Sequence, residues 1–236
     1  MIDKDEKVFQ KVCEMLQKQH INFWVCHGTL LGIIREGRLL PWDHDIDFAV
    51  WHDETSKEEV LNIFLSSGFE EEKIFGDMDC LHFYGENKKI DVSFYKTEGE
   101  FSSIKWAIAP KSSILRMYLY CIQVIWAGTD EKVYLSTNTL KKYIQIILNK
   151  LSLLFAFILP NKIKKILYFN SVKLMDYTGY SYTSDLMELH TIQYKNTQIQ
   201  VPKNSKDHLK FTYGEGWKTP KENYVWHKEA DNLIDL

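Results

Sequence analysis

Cysteine is scarce in this chain, and none of it is paired in sequence. Cys13, Cys26, Cys80 and Cys121 are the only four in 236 residues and no two stand at C-x-x-C spacing. That excludes a zinc knuckle and gives no sign of a disulfide framework, so buried free thiols are expected. An excess of basic residues is also missing: the net charge is -3, which argues against a broad nucleic-acid footprint. Internal repeats and low-complexity tracts are absent. No apolar h-region stands between Met1 and Gln10, so no secretory signal is expected there and the cytoplasm is the expected compartment. The most apolar segment, Tyr143 to Leu159, is interrupted by Gln145, Asn149, Lys150 and Ser152 and ended by Pro160, short of what a bilayer needs. It reads either as a packed helix or as a helix lying on a membrane surface.

What is present, 45% hydrophobic and 26% charged residues, describes a globular chain able to bury a sizeable core. Charge is unevenly spread. From Lys132 to Met175 there is no Asp or Glu, while Lys141, Lys142, Lys150, Lys162, Lys164, Lys165 and Lys173 all fall within the stretch. Such a segment suits phosphates or the anionic inner face of a membrane.

Periodicity sets out the elements. Asp3 and Glu6 have capping-box spacing, and Phe9, Val12, Cys13 and Leu16 continue at helical intervals, predicting a first helix that ends near His20. The apolar run Phe23-Trp24-Val25-Cys26 suits a buried strand, and Gly28-Thr29 opens the helix that follows. Val60, Leu61, Phe64 and Leu65 predict a helix closed by Gly68; Leu81 to Tyr84 and Ile90 to Tyr95 predict strands joined through Gly85-Glu86-Asn87-Lys88. Beyond about Ser112 strand signals thin out. The expected fold is therefore α/β (α+β): a mixed-sheet core over residues 1–111, then a mostly helical region over 112–236.

Chemistry concentrates in Asp43-His44-Asp45-Ile46-Asp47-Phe48-Ala49-Val50. Side chains alternate faces along a strand, so Asp45 and Asp47 share one face while Ile46, Phe48 and Val50 enter a core on the other. Paired carboxylates hold hard cations such as Mg²⁺ or Mn²⁺. An EF-hand loop has similar acid spacing, but Phe48 occupies the position that needs glycine and the alternation is that of a strand. Asp91, between Ile90 and Val92, is the candidate third ligand from a neighbouring strand. Gly28 and Thr29 could meet a phosphate at a helix N-terminus, and Arg35 and Arg38 could clamp its oxygens, the alternative being that one or both, Arg38 above all, pair with surface acids. His27 reads as a base or as a structural histidine, and Tyr213, Trp217 and Trp226 as closing aromatics or as core.

The series His27-Gly28-Thr29-Leu30-Leu31-Gly32, Arg35, Pro41-Trp42-Asp43-His44-Asp45-Ile46-Asp47, Asp91 and Tyr213-Gly214-Glu215-Gly216-Trp217-Lys218-Thr219-Pro220 resembles the LicD/fukutin family, a branch of the nucleotidyltransferase superfamily. The resemblance implies a nucleotidyltransferase-like mixed sheet with flanking helices. It also implies transfer of a phospho-alcohol, such as phosphocholine, ribitol phosphate or glycerol phosphate, from a CDP-linked donor to a hydroxyl of a cell-surface glycan. Asp45, Asp47 and Asp91 then carry the cation and, with Arg35, the catalysis; Gly28, Thr29, His27, Arg38, Tyr213 and Trp217 contact the donor. His44 stands where the family commonly has a further acid, and by alternation it points away from the cation. Two other functions stay open: an NTP-using nucleotidyltransferase that releases pyrophosphate, and an inactive module that binds metal or nucleotide.

Overall fold

The computed structural model describes residues 4–74, 76–77, 79–108, 110–128, 139–222, 224–230 and 232–235. Along the chain these form α1 (Lys4–Lys18), β1 (Phe23–Val25), α2 (His27–Glu36), β2 (Asp45–Trp51), α3 (Lys57–Ser66), β3 (Glu70–Glu72), β4 (Cys80–Gly85), β5 (Lys88–Glu98) and β6 (Phe101–Ile108). The helices α4 (Ser113–Ala127), α5 (Thr139–Ile158) and α6 (Asn161–Val172) follow. Then come β7 (Asp176–Thr183), β8 (Leu189–Tyr194), β9 (Thr197–Pro202), α7 (Ser205–Tyr213), a 3₁₀ turn at Glu215–Lys218, α8 (Trp226–Glu229) and β10 (Ile234–Asp235).

The chain divides into two compact units, one made of residues up to Trp106 together with those from Thr178 onward, the other of Ala107–Tyr177. In the first, a mixed sheet runs β10-β7-β6-β5-β2-β1-β9-β8, with β4 also on β5 and β3 on β4. The parallel pairs β2/β5 and β1/β9 lie next to the antiparallel pairs β1/β2, β4/β5 and β8/β9. Two-residue connections close the hairpins: Glu86 and Asn87 both take positive φ (55° and 64°) between the paired Gly85 and Lys88. Such turns match the right-handed twist of the flanking strands.

Both sheet faces are covered. Phe23, Val25, Ile46, Phe48, Val50, Ile90, Val92 and Phe94 pack one face against α1, α2 and α3, where Phe9 stacks on Phe48 and Phe64 on Phe83. Trp24, Ala49 and Tyr95 from alternate positions join Ile104, Tyr180, Tyr182 and Met187 on the other. The predicted alternation is therefore present in β2 and in β5, and all four cysteines are free, as expected.

Two expectations differ from the structure, and a third lies partly outside the described residues. Asp3 lies outside the described residues, and Glu6 is no capping-box partner: its buried carboxylate accepts from the Leu39 amide at 3.2 Å, the Tyr194 hydroxyl at 2.7 Å and Lys195 Nζ at 2.6 Å. Second, the region after Ser112 does not stay helical to the end, because β7, β8 and β9 return to the sheet and only α4, α5 and α6 form a separate helical unit. The strand signal of β7 was a tyrosine alternation, Tyr180 and Tyr182 inward, in a segment rich in polar residues, and that of β9 was the alternation of Thr197, Ile199 and Val201. Third, the lysine-rich stretch includes residues 132–138, which are outside the described residues. In the helical unit Trp126 stacks on Tyr168, and Tyr118 Oη lies 3.1 Å from Ser171 Oγ. Among the described residues no helix is long and apolar enough to cross a membrane.

The second face buries a histidine. The His208 ring stacks on Tyr182 at 4.5 Å, its Nδ1 lies 3.1 Å from the Leu186 carbonyl oxygen, and burial lowers its pKa to about 4. A folded value below the unfolded 6.5 means that this histidine's contribution is complete above pH 6.5 and is lost as pH falls toward 4. At about 1.4 kcal/mol per pKa unit the loss amounts to roughly 3 kcal/mol. His208→Gln should therefore lower stability at pH 7.5 while flattening the fall in the urea midpoint between pH 6.5 and 4.5. Equal pH slopes in the two proteins would refute the assignment.

Candidate functional site

The acidic residues sit where β2 begins, next to the N-terminus of α2. Pairing of β2 with β5 sets Asp45 beside Lys89 and Asp47 beside Asp91, so all four share the sheet face opposite Ile46, Phe48 and Ile90. Carboxylate oxygens of Asp43, Asp45 and Asp47 lie within 4.8 Å of one another. His44 between them is exposed, as its place in the alternation requires.

Crowding on this scale is costly without a cation. Burial, a hydrogen bond with Asp45 and the Asp45 charge push the Asp43 carboxyl up to about 7. Asp47 is raised well above its ordinary value, by burial first and then by Asp45, Asp43 and Asp91. A divalent ion would relieve both, and three converging carboxylates are a donor set of the kind hard cations take. Two features of α2 hold the arrangement. A Cβ at Gly28 would come within 2.1 Å of Asp43 Oδ2, so only glycine admits that carboxylate. Thr29 Oγ1 accepts from the Asp47 amide at 2.8 Å, while the Thr29 amide reaches Asp47 Oδ2 at 3.3 Å. Gly28 and Thr29, read from sequence as phosphate contacts, thus engage the carboxylates.

Asp91 belongs to a second group with Cys80 and His82. His82 Nδ1 lies 2.9 Å from Asp91 Oδ1, its Nε2 2.9 Å from Asp77 Oδ2, and Lys89 Nζ 3.1 Å from Asp91 Oδ2. Burial disfavours charge on both partners of the His82–Asp91 pair, and the ion pairs prevail: His82 is raised and Asp91 lowered. Both Asp91 oxygens therefore already accept from cationic side chains.

The other candidates are placed as follows. Arg35 donates to the Trp217 carbonyl at 3.1 Å and to Glu36 at 2.9 Å, fastening the 3₁₀ turn to α2, and its buried Nε has no partner among the described residues. Arg38 is exposed and lies 3.4 Å from Glu36. His27 adopts φ 45°, packs on Trp106 at 5.3 Å and has Tyr95 Oη 3.4 Å from Nε2; burial lowers its pKa to about 4, against Asp45 and Asp91, so the ring is neutral. The Trp217 ring is in the core. Tyr213 is raised by burial and then by the charge of Asp47, which puts its phenol in electrostatic reach of the acids. Trp226 packs on Trp106 at 5.0 Å.

Sequence reasoning left Asp43 out of the ligand set, although the period-two series 43, 45, 47 included it. His82 and Lys88 gave no such signal. Lys88 is buried and donates to the Asp43 carbonyl and to Asp5, both at 2.8 Å, a placement that depends on the β4/β5 turn.

Residues 20–120 match the profile described as LicD/FKTN/FKRP, nucleotidyltransferase domain. Lipopolysaccharide cholinephosphotransferase LicD of Haemophilus influenzae is 27% identical over 247 residues, covering 91% of this chain and 88% of that protein. Ribitol 5-phosphate transferase FKRP of Mus musculus is 29% identical over 105 residues, 40% of this chain and 21% of that protein. An uncharacterised protein of Rickettsia prowazekii is 37% identical over 57 residues, 24% of this chain and 21% of that protein. The chain thus spans about a fifth of the length of the first curated relatives it matches. Residues 20–120 are thus similar to the nucleotidyltransferase domain of the LicD/FKTN/FKRP family, and the chain resembles LicD over most of its length.

Proposed function

We propose that this protein is a Mg²⁺- or Mn²⁺-dependent transferase that moves a phospho-alcohol from a CDP-linked donor to a glycan hydroxyl. The observation that carries the reading is the convergence of Asp43, Asp45 and Asp47 beside the start of α2. The names of the relatives, a cholinephosphotransferase and a ribitol 5-phosphate transferase, support the substrate class.

Asp45 and Asp47 would hold the cation, with Asp43 beside them and Asp91 at the flank. A bound cation would supply charge compensation for the phosphoryl oxygens and the departing CMP, and would acidify the acceptor hydroxyl. Thr29 fixes the Asp47 carboxylate from the backbone side, and His82 with Lys89 fixes the orientation of Asp91. His27 packs against Trp106, and Asp91 is held by His82 and Lys89, so both would orient the groups around the cation. Arg35 anchors Trp217 through its backbone, and its effect on the donor is exerted through that turn.

Metal binding gives the first test. Gly28→Ala must push the Asp43 carboxylate out of the group, so Mn²⁺ affinity measured by calorimetry should fall roughly 10–100-fold while circular dichroism stays unchanged. Unaltered Mn²⁺ affinity would refute the site.

Turnover gives the second. With CDP-choline, CDP-ribitol and CDP-glycerol as donors, Asp45→Asn or Asp47→Asn should lower kcat by about 10²–10³-fold or more. CMP should appear with phospho-alcohol on a saccharide. Pyrophosphate from an NTP, with no CMP from any CDP-alcohol, would overturn the transferase reading in favour of nucleotidylation.

A further inference from the structure

Helix α5 is packed the wrong way round for a helix in water. A surface helix ordinarily buries its apolar stripe and turns polar residues outward. Here Asn149, Ser152 and Ala156, spaced at i, i+3 and i+7, are the buried face. On the opposite side Tyr143, Ile147, Leu151, Leu154, Phe155 and Ile158 follow one helical stripe, each between 47% and 62% exposed. Phe157 at its edge is 91% exposed. From Tyr143 to Ile158 in this 20-residue helix the stripe extends about 23 Å at 1.5 Å per residue. In α6, Ile163, Ile166 and Phe169 are exposed too. Scattered apolar residues on a surface are ordinary, whereas a continuous stripe of this length marks a surface that something else covers.

Charge identifies what covers it. Residues 139–175 contain seven lysines and no acid. Lys142, Lys150, Lys162, Lys165 and Lys173 are exposed, and none of them forms an ion pair among the described residues. A second protein surface would be expected to meet such lysines with carboxylates, and a copy of this segment has none to offer. A bilayer with anionic headgroups satisfies both halves at once, taking the stripe into the acyl boundary and the lysines at the phosphates. No described helix can cross a membrane, so the contact lies in the plane of the interface.

We propose that the Ala107–Tyr177 unit docks on anionic membrane surfaces, α5 inserting its Tyr143–Ile158 stripe with the lysines of α5 and α6 on the headgroups. The full chain should float with phosphatidylcholine vesicles containing phosphatidylglycerol, bind phosphatidylcholine alone far less, and detach as NaCl is raised. Replacing Leu151, Leu154 and Phe155 by Gln removes exposed side chains only. That variant should keep its circular dichroism and melting temperature and lose binding by at least about tenfold. A second variant, with Lys142, Lys150, Lys162 and Lys165 changed to Gln, should lose binding to a similar degree and keep the test decisive if the first variant fails to fold. Absence of binding at low salt, or binding undiminished in the lysine variant, would overturn the proposal. So would sedimentation equilibrium showing a dimer that the Leu151/Leu154/Phe155 variant dissolves, with no vesicle binding, since a second copy would then be the cover.

Discussion

Three carboxylates crowded together where β2 begins are the constraint around which the sheet-bearing unit is arranged. Asp43, Asp45 and Asp47 repel one another in a partly buried place, and burial and mutual charge raise Asp43 and Asp47. Every neighbouring element makes an accommodation. In the first turn of α2, Gly28 is the one residue small enough to admit Asp43, Thr29 bonds the Asp47 backbone, and Lys88 brings a buried positive charge to the Asp43 carbonyl. On the far side of Asp47, His82 and Lys89 neutralise Asp91, so the fourth carboxylate adds less repulsion than it would alone.

How much of this was readable from sequence depended on range. The alternation of β2 and β5 is written in local periodicity, and so were the Gly85–Lys88 hairpin and the face that Asp45, Asp47 and Asp91 share, whereas the glycine turn expected at Gly28-Thr29 is instead the first turn of α2. Partnerships were not readable, because they are set by register between distant segments. His82 looks like one histidine in an apolar strand until antiparallel pairing puts it opposite Asp91. Arg35 has the chemistry of a phosphate clamp, yet the residue it meets is Trp217, far along the chain. Glu6 fits a capping pattern, but β8 and the loop at Leu39 claim its carboxylate.

The helical unit shows a different limit. A hydrophobic stripe in α5 is plain from its sequence, but periodicity says only that two faces differ, not which one is turned inward. Burial of Asn149, Ser152 and Ala156 decides that, because small side chains let α4 and α5 approach closely. In water that choice leaves apolar area uncompensated; beside lipid it is the natural one.

The parallel pairing of Trp24 with Gln200 bears on the order in which the chain is completed during synthesis. Strand β1 emerges early and one of its two neighbours is β9, made after the entire helical excursion. The sheet is thus left with an open edge throughout the synthesis of Ala107–Tyr177, a compact unit contiguous in sequence. Ribosomal pausing or truncation before β9 would leave a strand that recruits other chains, so this protein's hazard of aggregation falls in a window that ends only when residue 200 has left the tunnel.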